Sequence, residues 1–495
     1  MATVTPHRVR PGRTVEIVLL VVALLIGLGA YAFVGLATGD ALPDDLAWRT
    51  VVLVGMSAAL HVVLRRKAPW ADPVILPVAV ALNGLGLAMI SRIDIAYAVR
   101  GRETEFGDRQ LLWTIVGMGL AGVVLLVLRD HRTLRRFTYT AMVAALVLMV
   151  LPLVPGLRAT VNGAQIWIRI AGASFQPAEL GKIALAIFFA GYLVTNRDTL
   201  TLAGPKVLGL QLPRVRDLGP ILVAWIVSLA VLVLERDLGT SLLFFGLFVA
   251  MLYLATERLS WVLIGLGLFL GGVIVAARSF SHVAARFEAW LHAFDNSVFT
   301  ASPGGSGQLV RGLFGMASGG LFGTGLGLGR PDLVPYAESD FIVASLGEEL
   351  GLTGLMAILV LYLVLTERGL RTAVGVRDGF GKLFAGGIAF TVAFQCFVVV
   401  GGVTRLIPLT GLTMPFLAYG GSSLLANWVI VALLLRISDS ARRPAEAPGP
   451  GPGPSDAEPA GAGAPRSATD EQLTERIRPQ RKPAAALPTA GGGAP

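Results

Sequence analysis

Leu259–Ala277, LSWVLIGLGLFLGGVIVAA, is followed by Arg278–Ser339, RSFSHVAARFEAWLHAFDNSVFTASPGGSGQLVRGLFGMASGGLFGTGLGLGRPDLVPYAES. The first segment is uncharged and close to the roughly 20 residues that cross a bilayer core as a helix. The second is the one long water-exposed passage in an otherwise apolar chain. It reads as an amphipathic helix ending near Asp295, a Gly/Ser hinge at 303–307, a second amphipathic helix and a glycine ladder ending at Gly329. Asp295 is its only acidic residue between Glu288 and Asp332.

Outward from this passage the same apolar signature repeats. The 495 residues are 54% hydrophobic and 15% charged, with a mean hydropathy of +0.70; a soluble domain usually carries about 25% charge. The expected fold class is therefore all-α, a polytopic membrane protein with about twelve transmembrane helices and one large extracellular loop. The segments of about ten alternating residues that mark a membrane barrel do not occur. Expected spans lie near Val15–Leu36, Ala47–Leu64, Asp72–Ile90, Gln110–Leu128, Phe137–Val154 and Pro177–Val194. The second six lie near Leu218–Leu234, Gly239–Ala255, Leu259–Ala277, Phe341–Leu365, Lys382–Val403 and Leu412–Leu435. The chain divides into an N-terminal tail (1–14), N-terminal helices (15–136), a transmembrane core (137–437, containing the loop 278–339) and a Pro/Gly/Ala-rich tail (438–495). That tail cannot bury enough apolar surface to offset its ordering entropy, so it is expected to be disordered.

Charge sets the expected orientation. With the N-terminus inside, the inner segments before the tail carry nineteen Lys and Arg against thirteen outside. This places both termini in the cytoplasm and 278–339 outside. The apolar run from Val15 lacks a small-residue cleavage site and is expected to remain as the first span. The net charge of +9 does not indicate nucleic acid, because the basic residues are spread between apolar spans and form no basic face with interleaved aromatics. The single cysteine, Cys396, excludes an intrachain disulfide, and the five histidines never cluster at ligand spacing.

No nucleotide-binding motif is present: the glycine ladder lacks the spacing of a dinucleotide loop and follows no strand, and no lysine completes a phosphate loop. In the outer loop, Val283, Phe287, Trp290, Leu291 and Phe294 recur at helical spacing, as do Leu309, Val310, Leu313, Phe314 and Ala317. Both faces suit a membrane surface. Asp295, expected at the C-terminal end of the first helix, is a candidate general base or else a solvated surface carboxylate. Glu179 and Lys182, three apart within a span, form either a self-satisfied ion pair or a cation for a diphosphate with its orienting carboxylate. Asp237 lies in a short turn, solvated or functional. Asp340, Glu348 and Glu349 lie at the start of a span and inside it, where carboxylates need partners or water. Pro408 through Ser423 breaks regular helix, forming a kink or lining a cavity that would include Ser422.

These clusters carry a resemblance. NGAQ-W, QPAELGK, RDLGT, GGLFGTGLG, ESDFIVASLGEELG and TG-x-x-x-PF-x-x-YGGSS occur in that order between about Phe137 and Ile437. Together they resemble the SEDS family of bacterial cell-wall proteins (RodA, FtsW, SpoVE). The ESDFIVASLGEELG version, the twelve spans and the Arg330-Pro331-Asp332 passage are more similar to the actinobacterial RodA branch. The resemblance implies a glycosyltransferase that polymerises lipid II outside the cytoplasmic membrane, partnered by a class B penicillin-binding protein transpeptidase. It implies Asp295 as the catalytic aspartate. Glu179, Lys182, Asp237, Arg311, Asp340, Glu348, Glu349 and Ser422 are the candidates for substrate binding, with Arg405 a further candidate cation. The family's usual Asp-Pro and Gly-Tyr-Gln are replaced here by Asp295-Asn296 and Ser306-Gly307-Gln308. No cofactor is certain, and a divalent cation (Mg or Mn) is left open. Two rival readings stand beside this one: a lipid flippase or transporter, and a non-catalytic scaffold.

Overall fold

The computed structural model describes residues 13–161, 164–170, 173–197, 206–207, 210–211, 226, 237–301 and 304–444. Among them, eleven helices are long and apolar enough to cross a membrane, making the chain a multi-pass membrane protein. The expected span Leu218–Leu234 (apart from Ile226), Asn162-Gly163, Glu235-Arg236, Pro303 and the tail from residue 445 lie outside the described residues.

The first four helices are α1 (Arg13–Gly39), α2 (Leu46–Lys67), α3 (Ile75–Val99) and α4 (Phe106–Val127). A 3-10 segment, His131–Phe137, leads into α5 (Thr138–Val150). A three-stranded antiparallel sheet then interrupts the helices: β1 (Arg158–Val161), β2 (Ala164–Ile170) and β3 (Ala173–Phe175). The sequence reading expected no strand here. The all-α class holds with this sheet as an addition, favoured by a run of alternating residues (Ala164-Gln165-Ile166-Trp167-Ile168) too short to make a span. After α6 (Ala178–Thr195) comes a two-residue pairing of β4 (Lys206–Val207) with β5 (Leu210–Gln211). Then follow α7 (Leu238–Thr256) and α8 (Leu259–Ser279).

The passage 278–339 holds α9 (Ser281–Leu291), the single turn α10 (Asn296–Phe299) and α11 (Gly307–Gly319). The chain finishes its spans with α12 (Ile342–Gly375), α13 (Gly379–Val403) and α14 (Gly421–Arg442). Helices α3 and α14 are buried nearly all round and form the centre, whereas α2 and α8 leave most of their apolar surface to lipid. Helix α1 approaches α3 backbone to backbone: a Cβ on Gly27 would stand 2.8 Å from the Gly84 Cα. Small residues permit such close crossings, which supply much of the attraction between helices in lipid.

Two elements depart from their expected form. The last span begins at Gly421 rather than near Leu412, because Pro408, Pro415 and a left-handed Phe416 (φ 66°) hold residues 404–420 out of the helix. Their free backbone groups find side chains. Gln395 Nε2 donates to the Thr413 carbonyl at 2.9 Å and Gln110 Nε2 to the Ala418 carbonyl at 3.2 Å, and the Tyr362 hydroxyl donates to the Pro415 carbonyl. Helix α12 is the second exception, broken at Gly351 (φ 68°, ψ −173°). The glycine ladder threads through that break. The N–H groups of Thr324 and Gly325 donate to the carbonyls of Glu348 and Glu349 at 2.9 and 3.0 Å. Those of Leu352 and Thr353 donate to Gly320 and Leu321, both at 3.0 Å. A Cβ on Gly323 would lie 2.2 Å from the Glu349 carbonyl oxygen, so only glycine admits the strap.

Candidate functional site

The passage 278–339 does not lie free. Arg286 on α9 donates to the carbonyls of Leu409 and Thr410 at 3.3 and 3.0 Å. Trp290 Nε1 donates to the Arg405 carbonyl at 3.0 Å, while Arg405 returns bonds of 2.8 Å to the carbonyls of Trp290 and Leu291. The Arg405 guanidinium also sits 5.2 Å over the Phe294 ring. Three carbonyls of the non-helical 404–420 segment and the last two of α9 are thereby satisfied by charged or aromatic donors, which fixes the angle at which α9 enters the turn. The apolar faces expected to rest on the membrane are partly spent inside the protein. Val283 is buried, as are Leu309 and Val310 on α11 against α12, leaving Leu291, Phe294 and Phe314 exposed.

Asp295 differs from its expected setting. Helix α9 stops at Leu291, and Asp295 stands instead before the first residue of α10, with its side chain making no cap bond. The Ala293-Phe294-Asp295 sequence leaves the helix because Ser306 Oγ takes the Ala293 carbonyl at 2.6 Å and the Ser306 N–H takes that of Val298 at 3.1 Å. This closes 293–306 into a small loop. The Asp295 carboxylate is 62% exposed, and His292 Nδ1 lies 3.4 Å away. The residue is therefore positioned by its backbone while its carboxylate stays open to a ligand.

Beneath α9 three distant segments converge. Asp237 caps α7, its carboxylate accepting from the Thr240 N–H at 3.1 Å and from the Thr240 hydroxyl. Gly239 abuts the Thr410 carbonyl, where a Cβ would come within 2.8 Å, and Gly411 abuts Asp340, whose Oδ2 would be 3.7 Å from a Cβ there. Arg286 exerts its charge on both Asp237 and Asp340. Burial pushes the Asp340 carboxyl up to about 7, with Glu338 and Asp237 adding to the effect and Arg286 opposing it. A carboxyl that titrates near neutrality suits proton transfer. Arg286 was not singled out from the sequence, and the only sign of it was a lone cation on the face of α9 opposite Glu288.

The remaining candidates are committed to the scaffold. Lys182 Nζ is buried and bonds Glu179 at 2.5 Å and Gln395 at 3.0 Å, so the self-satisfied pair is the arrangement adopted. Ser422 Oγ accepts from the Gln176 N–H at 2.8 Å, pinning the segment before α6 to the first turn of α14. Glu349 accepts from Arg92 at 2.9 Å and from the Gly327 N–H at 2.8 Å. Glu348 Oε1 accepts from the Arg330 N–H at 2.9 Å. Arg311 is exposed and lines an outer cavity of about 1020 Å³. The described residues thus bring Asp237 and Asp340 near one another and near Arg286 of α9, and place Glu179 and Lys182 in the helical core. Among the described residues no three His, Cys, Asp or Glu side chains stand where they would hold a metal ion.

The sequence profile of the FtsW/RodA/SpoVE cell cycle proteins matches residues 73–443. Peptidoglycan glycosyltransferase RodA of Mycobacterium tuberculosis is 49% identical over 435 residues, 87% of this chain and 92% of the relative. The RodA of Mycobacterium leprae is 48% identical over 90% of this chain and 94% of its own length. A probable FtsW of a Geobacter species is 32% identical over 77% of the chain and 100% of the relative. The fold resembles the crystal structure of Thermus thermophilus RodA, with a TM-score of 0.53 at 23% identity, covering 76% of this chain and 98% of that one. A structure described as a peptidoglycan synthase complex matches with a TM-score of 0.51 at 23% identity, over 80% of this chain and 98% of that one. With a family match across most of its length and relatives near half identical, the chain belongs to the FtsW/RodA/SpoVE family.

Proposed function

We propose that this chain is a peptidoglycan glycosyltransferase that polymerises lipid II into glycan strands at the outer face of the bacterial cytoplasmic membrane, serving elongation and cell shape. The relatives named above carry that activity in their names. The observation that carries the reading is the docking of the Asp295 loop, through Arg286, onto the carbonyls of Leu409 and Thr410 beside Asp237 and Asp340. That contact holds the helix that leads to the open Asp295 carboxylate beside a neutral-range acid, Asp340, and the cation Arg286.

The reaction is an inverting transfer. An acceptor hydroxyl attacks the anomeric carbon of the donor glycan, the new glycosidic C–O bond forms, and the anomeric C–O bond to the undecaprenyl diphosphate breaks. Asp295 accepts the hydroxyl proton, and the diphosphate leaves with the bonding electrons. Positive charge must meet that leaving group as its own charge builds. Arg405, half-buried beside Phe294 and bonded to the Trp290 and Leu291 carbonyls, is the guanidinium candidate here, whereas Lys182 would first have to leave Glu179. The activated diphosphate bond supplies the energy, in keeping with a sequence that has no nucleotide motif. Among the described residues no His, Cys, Asp or Glu cluster assembles a divalent-cation site, and no step is routed through Mg or Mn.

The excess of Lys and Arg in alternate connections supports cytoplasmic termini and an extracellular loop 278–339. A class B penicillin-binding protein transpeptidase is the proposed partner. Its support is the likeness to a synthase complex whose description couples polymerization with crosslinking.

The test is purified full-length protein given lipid II. Wild type extends it into polymer, and Asp295→Asn lowers the rate by about 100-fold or more, the usual contribution of a general base. An unchanged rate refutes Asp295 as the base, and transbilayer movement of lipid II without polymer supports a transporter instead.

A further inference from the structure

The outer cavity of about 1020 Å³ is not part of the Asp295 loop: neither Asp295 nor Lys182 lines it. It is walled by the end of α3, by one face of α11 (Arg311, Phe314, Gly315 and Ser318, at helical spacing) and by residues 330–338. Four guanidinium groups reach it, from Arg100, Arg102, Arg311 and Arg330, against three carboxylates. Asp332 is shared by Arg100 at 2.5 Å and Arg330 at 3.2 Å. Glu338 accepts from the Tyr97 hydroxyl at 2.9 Å, and Glu348 Oε1 is taken by the Arg330 N–H.

Two cations are left over. Arg102 lies only over the Tyr97 ring, 4.9 Å from its centroid. Arg311, exposed on α11, has no hydrogen bond or ion pair among the described residues. One acceptor is left over as well. Glu348 Oε2 is buried without a hydrogen-bond partner and would lie 3.7 Å from a Cβ on Gly315, in the same wall. The level matters too: Arg100 and Arg102 directly follow the last residues of α3, and α12 begins just after the 330–338 wall. Span ends lie at the depth of lipid headgroups.

We propose that this cavity is a diphosphate subsite for a lipid-linked sugar, gripped by Arg102 and Arg311, with Glu348 Oε2 accepting from a hydroxyl or amide of the adjoining sugar. Guanidinium pairs match phosphate oxygens in geometry as well as charge. A carboxylate oxygen beside them suits a ligand that is anionic at one point and a donor at the next. The inference rests on the lipid II reading and adds a location to it. A diphosphate seated here is apart from the bond broken beside Asp295, so the cavity holds a second part of the substrate pair rather than the leaving group.

The experiment measures binding with full-length protein in lipid nanodiscs. The probes are undecaprenyl diphosphate, inorganic diphosphate and undecaprenol. Undecaprenyl diphosphate binds wild type and D295N alike. R102Q and R311Q each weaken it about tenfold and the double variant about 100-fold, with the unfolding midpoint unchanged. Undecaprenol fails to compete, and inorganic diphosphate competes only weakly. Unchanged affinity in R102Q/R311Q overturns the site, and inorganic diphosphate binding as tightly as the lipid overturns a lipid-linked ligand. These outcomes are separable from the function itself: wild type that polymerises lipid II while R102Q/R311Q binds normally refutes the subsite alone. Wild type that makes no polymer refutes the function, whatever the binding.

Discussion

Gly323→Ala is the sharpest test of how the passage 278–339 is held to the membrane helices. Gly323 has φ +84°, and an added methyl would stand 2.2 Å from the Glu349 carbonyl oxygen and 2.6 Å from the Leu350 carbonyl carbon. Both obstacles are backbone, so neither can swing aside. The nearby Gly320 supplies the control, since its φ is +54° but nothing lies within 4 Å of an added Cβ. Each substitution bears the cost of a side chain in a glycine-favoured conformation, about 1–3 kcal/mol. Only Gly323→Ala must also lift the strap from α12. That breaks the bonds from the Thr324 and Gly325 N–H groups to the Glu348 and Glu349 carbonyls. Leaving two buried carbonyls unpaired costs about 1–3 kcal/mol each, so the gap between the variants is on the order of 2–6 kcal/mol. Thermal unfolding of the two detergent-purified variants at one scan rate measures it, with G323A unfolding well below G320A. Equal midpoints would refute the reasoning, because the shared backbone cost would then account for both.

Asp340 binds its proton more tightly when folded than when unfolded, because burial raises its carboxyl to about 7. The stability this contributes is full below the unfolded value near 3.8 and is lost as pH rises through about 7. The unfolding midpoint of wild type therefore falls between pH 5 and pH 8, and Asp340→Asn narrows that fall; an equal fall in both would show that Asp340 does not set the dependence. Lys182→Met strands Glu179 in the core and costs about 3–5 kcal/mol, most of which the pair Glu179→Gln with Lys182→Met restores. If K182M keeps wild-type stability but makes no polymer, Lys182 acts in the reaction and not as a brace. Arg286→Ala frees α9 from Leu409 and Thr410, and a small misplacement of the Asp295 loop lowers the polymerisation rate about 10- to 100-fold. Unaltered polymerisation would mean that this docking does not position the loop.

Features that depend on neighbours along the chain were legible from the sequence. Apolar runs near 20 residues marked the spans, and the three-residue spacing of Glu179 and Lys182 put them on one helix face, able to pair. Features that depend on distant partners were not. Gln395, which completes the Lys182 shell, is 213 positions away from it. The α9 docking is written in carbonyls of 405–410, which carry no side-chain signature at all. Asp295 was placed at the end of a helix because its apolar spacing runs through Phe294, while the Ser306 bonds that end the helix come from beyond the hinge. The break at Gly351 lies inside an unbroken apolar pattern, and periodicity does not register where a second segment enters. The cavity was half visible: Arg311 was a candidate, but Arg102 lies 209 positions before it and looked like a topology residue.

Helix α1 precedes the region matched by the family profile, yet it is part of the wall against which the strap lies. A Cβ on Gly327 would stand 2.7 Å from the Ala37 Cβ, and Val34 beside it is fully buried. During synthesis α1 enters the bilayer almost 300 residues before Gly327 emerges, so this contact closes late. Until it forms, the α1 flank rests against lipid and the strap has no backing. The join between the earliest helix and the late glycine segment is thus a latch that shuts only on a complete molecule. A chain stalled before the strap would leave the Val34 and Ala37 flank of α1 without the cover that Gly327 gives it in the finished enzyme.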